Sequence, residues 1–203
     1  MSTSFINKVK KVTFNWVIIT VYSKLRVLKY WMLSDCKRIK GSAIRNSPVI
    51  TNGMGEILFG NKVNLGVKIS PFFLNTYIYL EARNEKAFIS IEDGVWINNN
   101  AHIISDGPGI TIGKDTLIGP NFTAYDSDFH DLRPDKRLTG IPLTGAIVIE
   151  QNVFIGSNVT ILKGVTVGKN AVIATGSVVT KSIPKNAIAG GNPCKIIKEN
   201  IAE

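Results

Sequence analysis

Two cysteines, Cys36 and Cys194, and two histidines, His102 and His130, are all that this 203-residue chain holds of either type. The cysteines stand far apart, in no metal or redox spacing. A disulfide framework therefore has no support, and the cytoplasm is the expected compartment. Two histidines cannot furnish a three-histidine zinc site. Acid is nearly missing from residues 1–40, where Asp35 stands against nine Lys and Arg. A long apolar run is missing too: the stretch from Val12 to Tyr22 is broken by Thr13, Asn15 and Thr20. It is about half the roughly 20 residues a spanning helix needs. Ser-Lys-Leu-Arg-Val-Leu-Lys follows it, which offers no small-residue cleavage site, so neither a transmembrane segment nor a signal peptide is expected.

The net charge of +9 sits almost entirely on those first 40 residues, because the other 163 hold fifteen Lys and Arg against fourteen Asp and Glu. A nucleic-acid-binding body would itself be basic, so no nucleic-acid partner is expected. Eighteen glycines and an aromatic content of 8% lean toward a turn-rich architecture over a helical bundle.

What is present is a repeat. Ile149, Ile155, Ile161, Val167, Ile173 and Val179 place a β-branched aliphatic at every sixth position. Three residues after the first five come Asn152, Asn158, Gly164, Asn170 and Gly176, types that tolerate positive φ at low cost. Two residues before each aliphatic stands a second small or apolar side chain: Ile147, Val153, Val159, Val165, Ala171 and Ser177. The same grammar recurs at Ile91, Ile97 and Ile103 and at Ile112, Ile118 and Ala124, with Gly94, Asn100, Asp106, Asp115 and Asn121 at the corner. The step of nine from Ile103 to Ile112 implies a three-residue insertion within Gly107-Pro108-Gly109. Phe59 and Leu65 read as a worn first coil. Short strands divided by corners at fixed spacing stack coil on coil, so the aliphatics predict a continuous buried ladder, an all-β parallel solenoid.

One long interruption, YDSDFHDLRPDKRLTGIPLTG, breaks the rhythm between residues 125 and 146. A loop of that length in a solenoid is usually functional, and it carries His130. Neutral imidazole can take a hydroxyl proton at cytoplasmic pH. Asp126, Asp128 and His130 alternate and would share one face of an extended segment, a spacing compatible with a metal site that nothing else in the sequence supports. His102 reads as an outward or corner residue, and Cys194, after Pro193, as a packed small residue.

With IGSNVTILKGVTVGKNAVIATGSVVTK, the loop and the ending IPKNAIAGGNPCKIIK on the page, the chain resembles the hexapeptide-repeat acetyltransferases from about Phe59 to Lys198. Its character is that of the polysaccharide and sugar O-acetyltransferases. The resemblance implies a left-handed parallel β-helix, a homotrimer with active sites between subunits, and acetyl transfer from acetyl-CoA to a sugar hydroxyl in surface polysaccharide biosynthesis, with no metal. It implies His130 as general base and the backbone N–H of Ser157 as oxyanion donor. Phe154, where many relatives have Trp, would wall the thioester arm beside Gly156. Thr175, Thr180 and Lys181 would lie along the cofactor path, Lys195 and Lys198 near its nucleotide, and Asn99 and Asp128 at the acceptor. Relatives often have Pro after the loop histidine, whereas this chain has Asp131. Acetylation of an amino group on an amino-sugar nucleotide or small antibiotic, and a non-catalytic binding solenoid, stay open as alternatives.

The expected organisation is a basic helical arm over 1–40 and a β-helix domain over 41–203 with an active-site loop at 125–146. Residues 5–33 read as one or two helices in which Phe5, Trp16, Val17, Leu25, Leu28 and Trp31 mix with Lys8, Lys10, Lys11, Lys24, Arg26 and Lys29. That composition suits either an anionic membrane surface met through residues 1–33, on the inner face of the cytoplasmic membrane, or a helix packed on the solenoid.

Overall fold

A computed structural model describes residues 3–200, with side chains from residue 15 onward. The strands fall on three sheets in strict rotation. The first sheet stacks Arg38–Lys40, Glu56–Phe59, Phe88–Ile91, Ile110–Ile112, Ile147–Ile149 and Thr166–Val167. The second stacks Ala43–Arg45, Val63–Leu65, Trp96–Ile97, Leu117–Ile118, Phe154–Ile155, Val172–Ile173 and Ile188–Gly190. The third stacks Val49–Asn52, Ile78–Ala82, His102–Ser105, Thr123–Tyr125, Thr160–Leu162 and Val178–Val179. Every pairing among these is parallel, and only Lys195–Lys198 runs antiparallel, closing the second sheet against Ile188–Gly190. One strand from each sheet makes a coil, and successive coils stack about 4.8 Å apart.

The ladder predicted by the period is the core. Ile91, Ile112, Ile149 and Val167 lie inside the first sheet, Ile97, Ile118, Ile155 and Ile173 inside the second, and Ile103, Ala124, Ile161 and Val179 inside the third, all buried. Each Ile or Val of the ladder contributes about 1.5–3 kcal/mol by leaving water. Corners behave as read at Gly94, Asn100, Asp115, Asn121, Asn152, Asn158, Gly164, Asn170 and Gly176, which all take positive φ. Asparagine adds what glycine cannot. Side-chain amides of Asn100, Asn121 and Asn158 hydrogen-bond in series at 2.8 Å, as do those of Asn152, Asn170 and Asn186 at 2.8–2.9 Å.

Three expectations are corrected. Asp106 does not share the positive φ of the other corners, because the insertion after it is gathered around a carboxylate from the next coil, as described below. Phe59 and Leu65 do not open the solenoid. A full coil precedes them at residues 38–52, so the strands begin inside the span read as the basic arm. The third difference is an unforeseen excursion at residues 66–77, between Val63–Leu65 and Ile78–Ala82.

A single helix, Thr3–Met32, precedes the coils. Phe5, Lys8, Lys10 and Lys11 lie outside the described side chains. Further along, Arg26 donates to the carbonyls of Phe73 (2.7 Å) and Thr76, and Tyr30 stacks on Tyr77 with centroids 5.0 Å apart. The helix is therefore strapped to the 66–77 excursion along one side. Trp16, Val17, Ile18, Val21, Leu25, Trp31 and Met32 remain exposed. Among the described residues no helix is long and apolar enough to cross a membrane.

Candidate active site

Rotation of the strands gives the prism three edges, and the candidate residues gather at two of them. At the edge between the second and third sheets, Ile97, Ile118, Ile155 and Ile173 are cross-strand partners, so the residues after them, Asn98, Gly119, Gly156 and Ala174, form a row. The coils pass very close there. A Cβ on Gly119 would meet the Gly156 carbonyl carbon at 2.8 Å, and one on Gly156 would meet Thr175 N at 2.7 Å. This is the physical reason for glycine at both places.

The N–H groups of this row donate to the coil above: Gly119 to Ile155, Gly156 to Ile173 and Ala174 to Ala189, each at 2.8 Å. One residue further on the pattern changes. Asn99 N–H is taken by the side chain of Asn98 at 2.7 Å, Pro120 has no N–H, and Ser157 and Thr175 N–H find no acceptor among the described residues. Two donors on adjacent coils are thus left without an acceptor beside a strip of small residues. Phe154 stands next to them, about half exposed, in register with Trp96 and Leu117, which are exposed to a similar degree.

The second cluster lies at the edge between the third and first sheets, where the chain leaves Thr123–Tyr125 and returns at Ile147–Ile149. The root of this excursion is zipped. Asp128 N–H donates to Leu143 (3.0 Å) and Gly145 N–H to Asp126 (2.9 Å), around a bridge from Ser127 to Thr144. The Asp126 side chain is fully buried. Its two oxygens accept from Ser105 Oγ (2.7 Å) and from the N–H groups of Asp106 (2.7 Å), Gly107 (3.1 and 3.2 Å) and Gly109 (2.9 Å). Asp126 is thus the pin that folds the Gly107-Pro108-Gly109 insertion against the loop. Asp128 turns away to Lys163, 2.7 Å from its Oδ1, with Oδ2 buried and unpaired. No group of three or more metal-ligating side chains occurs among the described residues.

His130 follows Phe129, which takes φ +60°, an outlier for a bulky residue. Phe129 is held there by the Arg83 guanidinium 4.7 Å over its ring and by Tyr125 edge-on at 5.4 Å. The imidazole is exposed, and its Nδ1 lies 3.1 Å from the Arg137 carbonyl oxygen. A carbonyl only accepts, so in the neutral ring that contact puts the proton on Nδ1 and leaves the lone pair on Nε2, the ring nitrogen not engaged by Arg137. Asp131 comes next in the loop. Its buried carboxylate clasps Arg133 at 2.5 Å and packs against Gly140, where a Cβ would come within 2.2 Å of Oδ2. Arg133 holds the Asp131 carboxyl down at about 2.

The remaining residues separate accordingly. Thr180 and Lys181 are exposed at the same edge as His130, past Val178–Val179, and Lys195 and Lys198 are exposed on the closing strand. Asn99 does not reach the surface. It is buried, accepting from Ser47 Oγ (2.5 Å) and Val67 N–H (3.1 Å) and donating to the Val67 and Pro71 carbonyls (2.9 Å each), so it ties down the 66–77 excursion. The partly exposed member of the triplet is Asn98, which the sequence reading passed over and which begins the row leading to Gly156. His102 is half buried on the third sheet beside Tyr77, and burial pushes its pKa below the ordinary histidine value. Cys194 is buried, as read.

Residues 146–181 match the family model described as hexapeptide repeat of succinyl-transferase. The chain is 42% identical over 114 residues to the galactoside O-acetyltransferase of Escherichia coli K12, across 55% of this chain and 54% of that protein. It is 32% identical over 163 residues to the E. coli K12 protein named "Putative lipopolysaccharide biosynthesis O-acetyl transferase WbbJ", across 75% of this chain and 76% of the other. The crystal structure of a hexapeptide-repeat acetyltransferase from Vibrio cholerae with acetyl coenzyme A superposes with a TM-score of 0.54 at 34% identity, covering 69% of each chain. The chain spans about half the length of the galactoside acetyltransferases among its curated relatives. With the three-sheet rotation, the hexad ladder and these matches together, the chain belongs to the hexapeptide-repeat acetyltransferases.

Proposed function

We propose that the protein transfers an acetyl group from acetyl-CoA to a sugar hydroxyl, with His130 as general base, in the building of a surface polysaccharide. The observation that carries this is the His130–Arg137 contact, which leaves Nε2 as the acceptor on an exposed imidazole at the rim of a rooted loop. Nε2 takes the acceptor's hydroxyl proton as its oxygen attacks the thioester carbonyl. The Ser157 N–H, free of any acceptor among the described residues, meets the oxygen on which negative charge develops. Collapse of the tetrahedral species expels the CoA thiolate, to which the imidazolium returns the proton, so the base is regenerated. Asn98, at the head of the same row, is the better placed of the asparagines to meet the acceptor.

His130 and Ser157 lie on different edges of one prism, and no hydrogen bond joins the two clusters. Their cooperation calls for the edge of one subunit against the other edge of the next, a head-to-tail contact that closes as a ring. This supports the homotrimer implied by the family, and the parallel three-sheet rotation together with the hexapeptide-repeat neighbours supports its left-handed β-helix. In such a ring Phe154, Gly156 and Thr175 would meet the thioester arm from one subunit, while Thr180 and Lys181 from its neighbour, with Lys195 and Lys198, would meet the phosphates. The exposed apolar side of the helix, with its lysines, supports contact with the anionic inner face of a cytoplasmic membrane.

The test is His130→Ala, assayed with acetyl-CoA and a panel of sugars. Turnover should fall by at least about 10²-fold with little change in acetyl-CoA affinity, while Ser157→Ala, which keeps its N–H, should be mild. Near-normal turnover in the histidine variant would refute the assignment.

A further inference from the structure

Between the helix and the first two coils runs a groove of about 500 Å³. Its walls are apolar: Trp16, Ile19, Leu28 and Trp31 from the helix and Phe73 from the 66–77 excursion. Its charged lining is of one sign, Lys24, Arg45 and Lys68, with no acidic residue among those that line it. Arg45 is the unusual one. Its Nη1 is buried and has no hydrogen-bond partner among the described residues, and partial burial pushes its guanidinium below the usual arginine range. A partly buried guanidinium with no anion beside it is costly to desolvate, and an apolar trough ending on unneutralised cations complements a molecule that is apolar along its length and anionic at its head.

The groove also has a definite place relative to the chemistry. Arg45 ends the second-sheet strand of the first coil and Asn46 follows it, while Lys68 and Phe73 belong to the excursion that replaces the same corner in the second coil. The groove therefore opens on the edge that carries Asn98 in the third coil, Gly119 in the fourth and Ser157 in the fifth. At about 4.8 Å per coil, Ser157 stands roughly 15–20 Å along that edge. Asn99, buried beside Asn98, holds the Val67 and Pro71 carbonyls, neighbours in the chain of the groove-lining Lys68 and Phe73. The two regions thus share a rigid support.

We propose that this groove binds the lipid phosphate of a lipid-linked glycan acceptor, the hydrocarbon lying along Trp16, Leu28, Trp31 and Phe73 and the phosphate on Arg45, Lys24 and Lys68. The glycan then extends along the edge toward Asn98 and Ser157. The acceptor half of this statement rests on the acetyltransferase reading; the binding half does not.

Full-length protein is titrated with farnesyl phosphate, with farnesol and with inorganic phosphate, following tryptophan fluorescence and calorimetric heat. Farnesyl phosphate should shift the emission of Trp16 and Trp31 and bind about tenfold or more tighter than farnesol, the margin of a charge-assisted contact, with phosphate alone binding weakly. Arg45→Gln should erase that margin and leave farnesol binding unchanged. Lys68→Gln, at an exposed position, should reduce it without touching the fold. Equal affinity for the phosphate and the alcohol, no binding of either, or no effect of either variant overturns the proposal. So does a groove already shielded from acrylamide before lipid is added, which would assign it to a second copy of the chain. Farnesyl phosphate binding without acetyl transfer to any sugar would leave the groove standing and refute the enzymatic reading. Acetyl transfer without lipid binding would do the reverse.

Discussion

Replacing Asp126 with asparagine removes half of a carboxylate on which two coils and the loop root converge. In the wild type, Oδ1 accepts from Asp106 and Gly107 and Oδ2 from Gly107, Gly109 and Ser105, at 2.7–3.2 Å, inside a fully buried site. Backbone N–H groups can only donate, so both oxygens must accept. An amide NH₂ can replace only one of them, leaving two donors face to face at either Gly109 or Asp106. Ser105 can turn its hydroxyl to accept, so one hydrogen bond is recovered. A buried donor left unpaired costs about 1–3 kcal/mol, and the surviving bonds lose the charge that strengthened them. The expected loss is about 2–4 kcal/mol, or roughly 5–15 °C in melting temperature for a chain of this size. Urea unfolding of wild type and variant at one protein concentration, so that assembly contributes equally, measures it. A loss below about 0.5 kcal/mol would refute the view that this carboxylate pins the insertion to the loop.

Corner geometry is tested by Asn158→Val and Gly164→Val, at φ +56° and +75°, against the exposed Lys169→Val. The first two should cost about 1–3 kcal/mol more, and the asparagine change should cost extra by cutting the amide ladder to Asn121. The two asparagines should separate. Asn98→Ala is expected to raise the acceptor KM or lower kcat at unchanged melting temperature, whereas Asn99→Ala is expected to lower the melting temperature by releasing Ser47 and the 66–77 excursion. Equal effects in both assays would contradict the placement. The Asp131 carboxyl, held at about 2 by Arg133, lies below its ordinary value. Its stabilising contribution is therefore complete above about pH 4 and disappears as pH falls toward 2. A carboxyl carbon titration by NMR with a midpoint near 4 would show that the clasp is open in solution.

Much of the architecture was legible because a solenoid writes its structure into the chain at a fixed period. Ile149 through Val179 are buried for the same reason they recur, each lying directly above the side chain one coil earlier. The coil at residues 38–52 was not legible. Ile39, Ile44 and Val49 step by five, and Ile44 points outward, so no ladder shows until register with the next coil is known. Asn99 and Asn98 illustrate the same limit. In extended backbone neighbouring side chains point to opposite faces, and composition cannot say which of three consecutive asparagines turns inward. The sequence by itself determined the hexad core, the asparagine and glycine corners, the loop that carries His130 and the basic opening segment, because these are local or periodic. Tertiary structure decided that Asp126 is a pin and no ligand, that His130 and Ser157 occupy different edges, and that Arg45 is left unpaired in an apolar groove. Those facts depend on which coil meets which, and residues far apart in the chain acquire neighbours only when the stack closes.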